Sequence, residues 1–475
     1  GDIVSKQLSI SAKLALTLTL GMAAQAFAGQ VYTREEAIKI ALENSSDIKT
    51  AEEDLKTANS QVDAGYGNAY PSVDLSATVT RIFGLNDVDP KATPITDAMT
   101  GMANSMPDPP SAYDNVLAGG VDKLLSSAMS QAYRWQSSVD LSVSQVLYAA
   151  GRVGTGIEIA KTYKKLQEVT LENTKATVRY NVESAFNQLL YLDSAVAIME
   201  ASIQLTQTNL EFVQQSVASG FATEMDLIRT QLVLDGLKSD LEKLKKSQIL
   251  ARNALLNTMG LGYDSEVSFT GELLDPNGGH PYPDTSMASV QKRRKELVML
   301  EASENMLSKN VDIERGGFKP TIVAGGKIGY SNKQNEFYKW DAPKWSKLTK
   351  AVFLNLTMNL FNGMKTQESV TQAKSKLRST QIQKEAALRG FRLQIESCAN
   401  TLEDAVQQLE IQKRQVDLAT KNYDLTEAAY KLGRETQLNL MNANMSLRST
   451  KLNYLEAVLN WNNAYISLLQ ATGEY

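Results

Sequence analysis

Two segments of this chain, "GFATEMDLIRT" at 220–230 and "GRETQLNLMNA" at 433–443, interrupt long helical patterns with a glycine and polar residues, after which the helical pattern resumes. From Gly220 and Gly433 onward they keep a constant offset of 213 residues, with matches at Thr223/Thr436, Leu227/Leu440, Leu234/Leu447, Lys238/Lys451, Ala251/Ala464, Leu255/Leu468, Leu256/Leu469 and Gly260/Gly473. The chain is an internal duplication. Whatever it folds into is built twice.

Residues 34–68, 152–218, 224–259, 285–316, 365–432 and 436–472 lack proline and carry apolar residues at helical spacing, which predicts six helices. In the fifth, Leu388, Phe391, Ile395, Cys398 and Leu402 step by three and four, and Val416, Ala419, Tyr423 and Tyr430 extend the seam. That is coiled-coil packing with charges on the outer positions. Cys398 on this seam reads as a small buried apolar residue rather than a reactive thiol.

Four stretches have period two instead. Val73, Leu75, Ala77 and Val79 alternate with Asp74, Ser76, Thr78 and Thr80, and Val139, Leu141 and Val143 with Asp140, Ser142 and Ser144. The second half repeats this with Ile322, Ala324, Gly326 and Ile328, and with Val352, Leu354, Leu356, Met358 and Leu360. Strands are expected near 71–83, 137–148, 320–330 and 350–361. Each is about ten residues with one apolar and one polar face, the pattern of a transmembrane β-strand around a wet lumen, although a soluble half-buried sheet alternates in the same way.

Pro71 and Pro320 align at an offset of 249 rather than 213, so the first half carries extra residues between its strands. They lie at 84–134, a long loop with five of the eleven prolines, against a shorter loop at 331–349. The first repeat runs over 29–260, with its long helix at 152–218, and the second over 285–475, with its long helix at 365–432. Residues 261–284, holding Pro276, Gly278, Gly279, Pro281 and Pro283, read as the linker, and His280 within it as a solvated loop histidine.

Residues 1–28 read as a secretory signal: Lys6 and Lys13, the apolar "LALTLTLGMAA", then Ala26-Phe27-Ala28. The chain opens without an initiator Met, so its N-terminus is expected to be incomplete or processed. No later segment reads as a membrane-spanning helix. One His and one Cys leave little for zinc sites or catalytic triads, so no enzyme activity, metal or cofactor is expected. A net charge of -4 with interspersed signs argues against nucleic acid.

Order and length constrain the architecture. Each half runs short helix, strand, loop, strand, long helix, glycine turn, short helix, and the two short helices together come within a few residues of the long one. Stacked end to end, they are expected to flank it along its length. At ~1.5 Å per residue the long helix reaches about 100 Å, too long for a globular core. Four strands cannot close a barrel, and an open edge in lipid leaves backbone groups unpaired, so a spanning chain must oligomerise.

The duplicated strand and coiled-coil order, the two glycine turns, and the phrases "GFATEMDLIRTQ" and "YKLGRETQLNLMNA" resemble the TolC-type outer-membrane efflux and secretion channels over essentially the whole mature chain. The resemblance implies a mainly α-helical fold with a membrane β-barrel. A homotrimer would join four strands per chain into a twelve-stranded barrel, continued into the periplasm by a coiled-coil tube. It also implies an outer-membrane exit duct of a tripartite efflux pump or type I secretion system. Its partners would be a periplasmic adaptor (membrane fusion protein), an inner-membrane pump or ABC transporter, and outer-membrane lipid. The glycine turns become hairpin tips: Gly220 and Gly433 supply backbone freedom, and Thr223 and Thr436 are placed to cap the returning helices.

In the family a Tyr before the second tip bonds an Asp after the first, and an Arg past the second glycine helps hold the tips closed. Tyr430 and Asp226 fall on the first two positions; the Arg position holds Glu435, with Arg434 adjacent. Asp226 also reads as an ordinary helix-start carboxylate favoured by the dipole. Two acidic positions that bind cations in some members are Asn439 and Asn442 here, implying a pore constriction with less preference for cations. The competing reading is a periplasmic coiled-coil adaptor or scaffold, against which the four amphipathic strands count.

Overall fold

The computed structural model describes residues 31–83, 134–263, 267–276, 278–334 and 347–475. The expected signal segment, residues 84–133 of the long loop and 335–346 of the shorter one lie outside the described residues. The first repeat contains β1 (Val31–Tyr32), α1 (Arg34–Asn44), α2 (Ser46–Gly67), β2 (Ser72–Arg81), β3 (Trp135–Tyr148), α3 (Arg152–Ala218) and α4 (Glu224–Thr258). After β4 (Ser268–Phe269) the second follows as α5 (Met287–Arg293), α6 (Lys295–Arg315), β5 (Thr321–Gln334), β6 (Thr349–Thr357), α7 (Lys365–Lys431) and α8 (Gln437–Thr472). These elements form a sheet unit, residues 62–158 and 309–373, and a helical unit from the remainder.

In the sheet unit the strand order is β2-β3-β5-β6, antiparallel throughout. Register places the alternating apolar residues on one face: Leu75 lies opposite Leu141, which lies opposite Ile328, and Val73 connects through Val143 and Gly326 to Val352. On the other face Lys327 pairs with Asp140 at 3.1 Å, and the Ser72 and Ser144 hydroxyls meet at 2.8 Å. β5 runs past the expected residue 330 because its partner starts early, with Trp135 opposite Gln334. β6 stops at Thr357, short of the expected 361. The turn from β3 into α3 holds Ala150 and Gly151 at φ 57° and 79°, and the turn from β6 into α7 holds Gly363 and Met364 at 67° and 65°. The same two left-handed residues recur at the repeat offset with glycine at opposite members.

The helical unit repeats the duplication in its cores. Val182, Leu189 and Leu255 pack beside Ala37 and Ala41, while their equivalents Ile395, Leu402 and Leu468 pack beside Val290. The opening helix of each repeat differs from the single helix expected there. The helix expected over 34–68 breaks at Ser45 and the one over 285–316 at Arg294, positions equivalent at the offset of 249. α1 packs against the last turns of α4 and α5 against those of α8, while α2 and α6 begin where α4 and α8 end. Both junctions are tight: a Cβ on Gly260 would sit 2.5 Å from the Asn44 carbonyl oxygen, and one on Gly473 3.2 Å from the Arg294 backbone. Buried Arg294 fills the second junction, donating to the Ala471 carbonyl at 3.0 Å and to Gln394 Oε1 at 2.9 Å, its guanidinium 3.9 Å from the Phe391 ring centroid.

The linker and two further expectations follow. The linker is docked: β4 pairs in parallel with β1, and buried Asn462 clamps Leu274 by accepting from its N–H at 3.0 Å and donating to its carbonyl at 3.2 Å. His280 is half-buried, its ring 5.7 Å from both Trp461 and Tyr465, so it is a packed histidine rather than a solvated one. A stretch of α3 is also long and apolar enough to cross a bilayer by composition, contrary to expectation. Phe186, Leu189 and Leu190 of α3 are buried among other helices, which gives these side chains a protein core as their environment.

Candidate functional site at the hairpin tips

Both long helices end in the same backbone device. The Gly220 N–H donates to the Val217 carbonyl at 3.0 Å and the Phe221 N–H to Ser216 at 2.8 Å; the Gly433 N–H donates to Tyr430 at 2.9 Å and the Arg434 N–H to Ala429 at 2.9 Å. This is the Schellman pattern, which satisfies the last carbonyls and needs a left-handed residue at its hinge. The glycines adopt φ +77° and +68°.

The returning helices start differently. At the first tip Thr223 and Asp226 form a closed capping box: the Asp226 N–H donates to Thr223 Oγ1 at 3.2 Å, and Asp226 Oδ2 accepts from the Thr223 N–H at 3.1 Å and its hydroxyl at 2.6 Å. At the second, the Asn439 N–H donates to Thr436 Oγ1 at 3.3 Å, while the Asn439 side-chain amide turns to Glu435 Oε2 at 2.6 Å. Arg434 and Asn442 are exposed.

Tyr430 sits one turn before the second tip with its ring edge-on to Phe212, centroids 5.6 Å apart. Burial, and then the charge of Asp226, push its phenol above the ordinary tyrosine value. The structure thus brings Tyr430 within electrostatic reach of Asp226. No hydrogen bond joins them among the described residues; Asp226 Oδ2 accepts from Thr223 instead. A contact that sequence reasoning missed does join the hairpins: Gln437 Nε2 donates to Thr230 Oγ1 at 3.2 Å, both residues buried. Its one signal was a pair of polar residues within otherwise apolar seams. Behind the tip, Ala419, Tyr423, Leu440, Ala443 and Leu447 form a small core against which Leu205 and Tyr430 pack.

Chemically, the tips offer carboxylate, amide and hydroxyl groups on first helical turns above this apolar core. Among the described residues no three His, Cys, Asp or Glu side chains cluster as metal ligands would.

The model of the outer membrane efflux protein family matches residues 37–261 and 287–474, that is, both repeats. Outer membrane protein TolC of Vibrio cholerae is 21% identical over 71% of this chain and 76% of its own length. Among solved structures, CusC superposes with a TM-score of 0.72 at 16% identity, covering 93% of this chain and 92% of that one. The Campylobacter jejuni CmeC outer membrane channel gives 0.72 at 13% identity, covering 93% and 85%.

Proposed function

The chain belongs to the outer membrane efflux protein family, and from that premise we propose a passive, gated exit duct whose partners and gate can be assigned by chemistry. It is an outer-membrane protein with a helical tube in the periplasm and the outer-membrane component of an efflux assembly.

One observation carries the duct reading. The sheet unit exposes much of its apolar surface, Val352 at 94% and Leu75 at 72%, and among the described residues the edge strands β2 and β6 each pair with one strand. An apolar face of that extent belongs in lipid, where open edges cost several kcal/mol per unpaired group (roughly 2–7) and must be closed by other strands. Three copies joined β2 to β6 make a twelve-stranded barrel, with the Asp140–Lys327 face lining the water path.

In this reading the homotrimer's tips meet a periplasmic adaptor, and an inner-membrane pump or ABC transporter supplies the cargo. Tyr430 and Asp226 act as the latch, Arg434 and Glu435 assist it, and Asn439 and Asn442 line the constriction. The duct conducts without catalysis. In a planar bilayer the purified protein is expected to insert as a trimer and pass a small steady current. A protein that stays water-soluble and never conducts would contradict this.

A further inference from the structure

The strand register also sorts the charges of the sheet unit. Val73, Leu75 and Val79 of β2 share a face with Leu141 of β3, Ile328 of β5, and Val352 and Leu354 of β6. Among the described residues in register on that apolar face, two are charged, Arg81 and Lys350, and both are cations. Arg81 closes β2 and Lys350 lies near the start of β6, so both sit at the end of the sheet opposite the one joined to α2, α3 and α7. Both are exposed, and both belong to edge strands. Arg81 is held further by aromatic rings: its guanidinium lies 4.5 Å from the Phe83 centroid and 5.2 Å from that of Trp135, its cross-strand partner. It forms no ion pair and no side-chain hydrogen bond among the described residues. A guanidinium stacked on rings keeps a fixed plane and an open N–H edge, the geometry that forks onto phosphate oxygens.

We infer that Arg81 and, across the joint between copies, Lys350 bind the phosphate of an outer-leaflet lipid headgroup, at one site per joint. The inference rests on the duct reading, in which β2 of one copy joins β6 of the next, and it adds the lipid seated at that joint. With the helical tube in the periplasm, the end that carries both cations reaches the outer leaflet. Cations are tolerated on a lipid-facing strand at that depth because their long stems carry the charge to the headgroups. Free phosphate would meet the same two cations. The surface continues, however, into Val79, Val352 and Leu354, which are exposed and apolar and suit acyl chains. The polar face is built differently, with Lys327 paired to Asp140 at 3.1 Å. A cationic rim on an apolar base therefore selects an anionic lipid as its occupant.

The test uses the full chain purified in a neutral detergent and native mass spectrometry, which counts the lipids held by each oligomer. The probes are bisphosphorylated lipid A, the same lipid without its phosphates, and inorganic phosphate as competitor. Up to one phosphorylated lipid per chain is expected on the trimer, and little phosphate-free lipid. Arg81→Gln with Lys350→Gln should lower occupancy about tenfold, since two charged contacts to the phosphate are lost. Lys319→Gln, which removes a charge at the other end of the sheet, should leave it unchanged. Should the double variant not assemble, Arg81→Lys decides: it keeps the charge, loses the fork and is expected to reduce occupancy severalfold. A trimer whose lipid content ignores these changes overturns the lipid site alone, as does equal uptake of phosphate-free lipid. Displacement of the lipid by inorganic phosphate would assign a free-anion site instead and overturn the lipid. A protein that stays monomeric in detergent and in membranes overturns the duct reading and the site with it.

Discussion

The two hairpins share a backbone and differ in what they leave uncovered. Both tips reverse through a left-handed glycine, and both returning helices end at another, Gly260 or Gly473. Around that common frame Leu205 of the first hairpin packs against the α8 cluster and Phe212 meets Tyr430 edge-on, whereas their equivalents Leu418 and Leu425 in the second are exposed, at 61% and 72%. The first tip closes a capping box and presents Phe221 at 90% exposure; the second leaves its box open and presents Arg434 at the equivalent position. Residues that set backbone geometry are held in common, and those that face a neighbour have diverged. The asymmetry therefore marks where each half meets something outside itself.

The glycines test the shared frame with the largest effects. Gly260→Ala combines a left-handed penalty of ~1–2 kcal/mol with a clash against backbone, so a loss of about 3 kcal/mol or more is expected. Gly473→Ala, with a looser approach of 3.2 Å, should cost about 2 kcal/mol. Gly220→Ala and Gly433→Ala meet nothing within 4 Å and should each cost about 1 kcal/mol. Urea unfolding midpoints in detergent rank the four; equal losses at Gly260 and Gly220 would refute the close approach.

The caps sharpen the difference between tips. Thr223→Ala breaks a closed box and should destabilise its tip by ~1 kcal/mol, with Thr436→Ala costing less. Amide exchange at 224–230 and 437–443 measures both, and a larger effect at Thr436 would reverse the comparison. Asn439→Asp with Asn442→Asp should increase block by divalent cations, since each charge in water contributes ~1 kcal/mol at close range; unchanged block removes these residues from the constriction. The smallest effect is on Tyr430. Asp226→Asn removes the lesser cause of its raised pKa and should lower the phenol's titration slightly while burial keeps it above the ordinary value. An upward or absent shift in its ultraviolet titration would separate the two residues.

Much of this fold is written locally. Strand alternation, heptad seams and the tip glycines each depend on side-chain period or on one residue's allowed φ, and they appear in the sequence near where the structure places them. The breaks at Ser45 and Arg294 do not, and the segments that approach them, at Gly260 and Gly473, lie far along the chain. Docking of the linker through Asn462 and packing of His280 against Trp461 and Tyr465 were hidden for the same reason. At the tips, turn chemistry was legible in Gly220, Thr223, Gly433 and Thr436. The Gln437–Thr230 bond, between residues far apart in the chain, required the helices to be in place first.

Single-channel conductance of the trimer, compared with Asp226→Ala plus Tyr430→Phe and with Thr223→Ala, tests the gated duct most directly. A small conductance in the native protein that rises strongly in the double variant and little in Thr223→Ala would establish a pore held by the Tyr430–Asp226 pair. An equal rise in both variants would assign the closure to the capping box. A native trimer that conducts fully, with no response to either change, would contradict a gate at these tips.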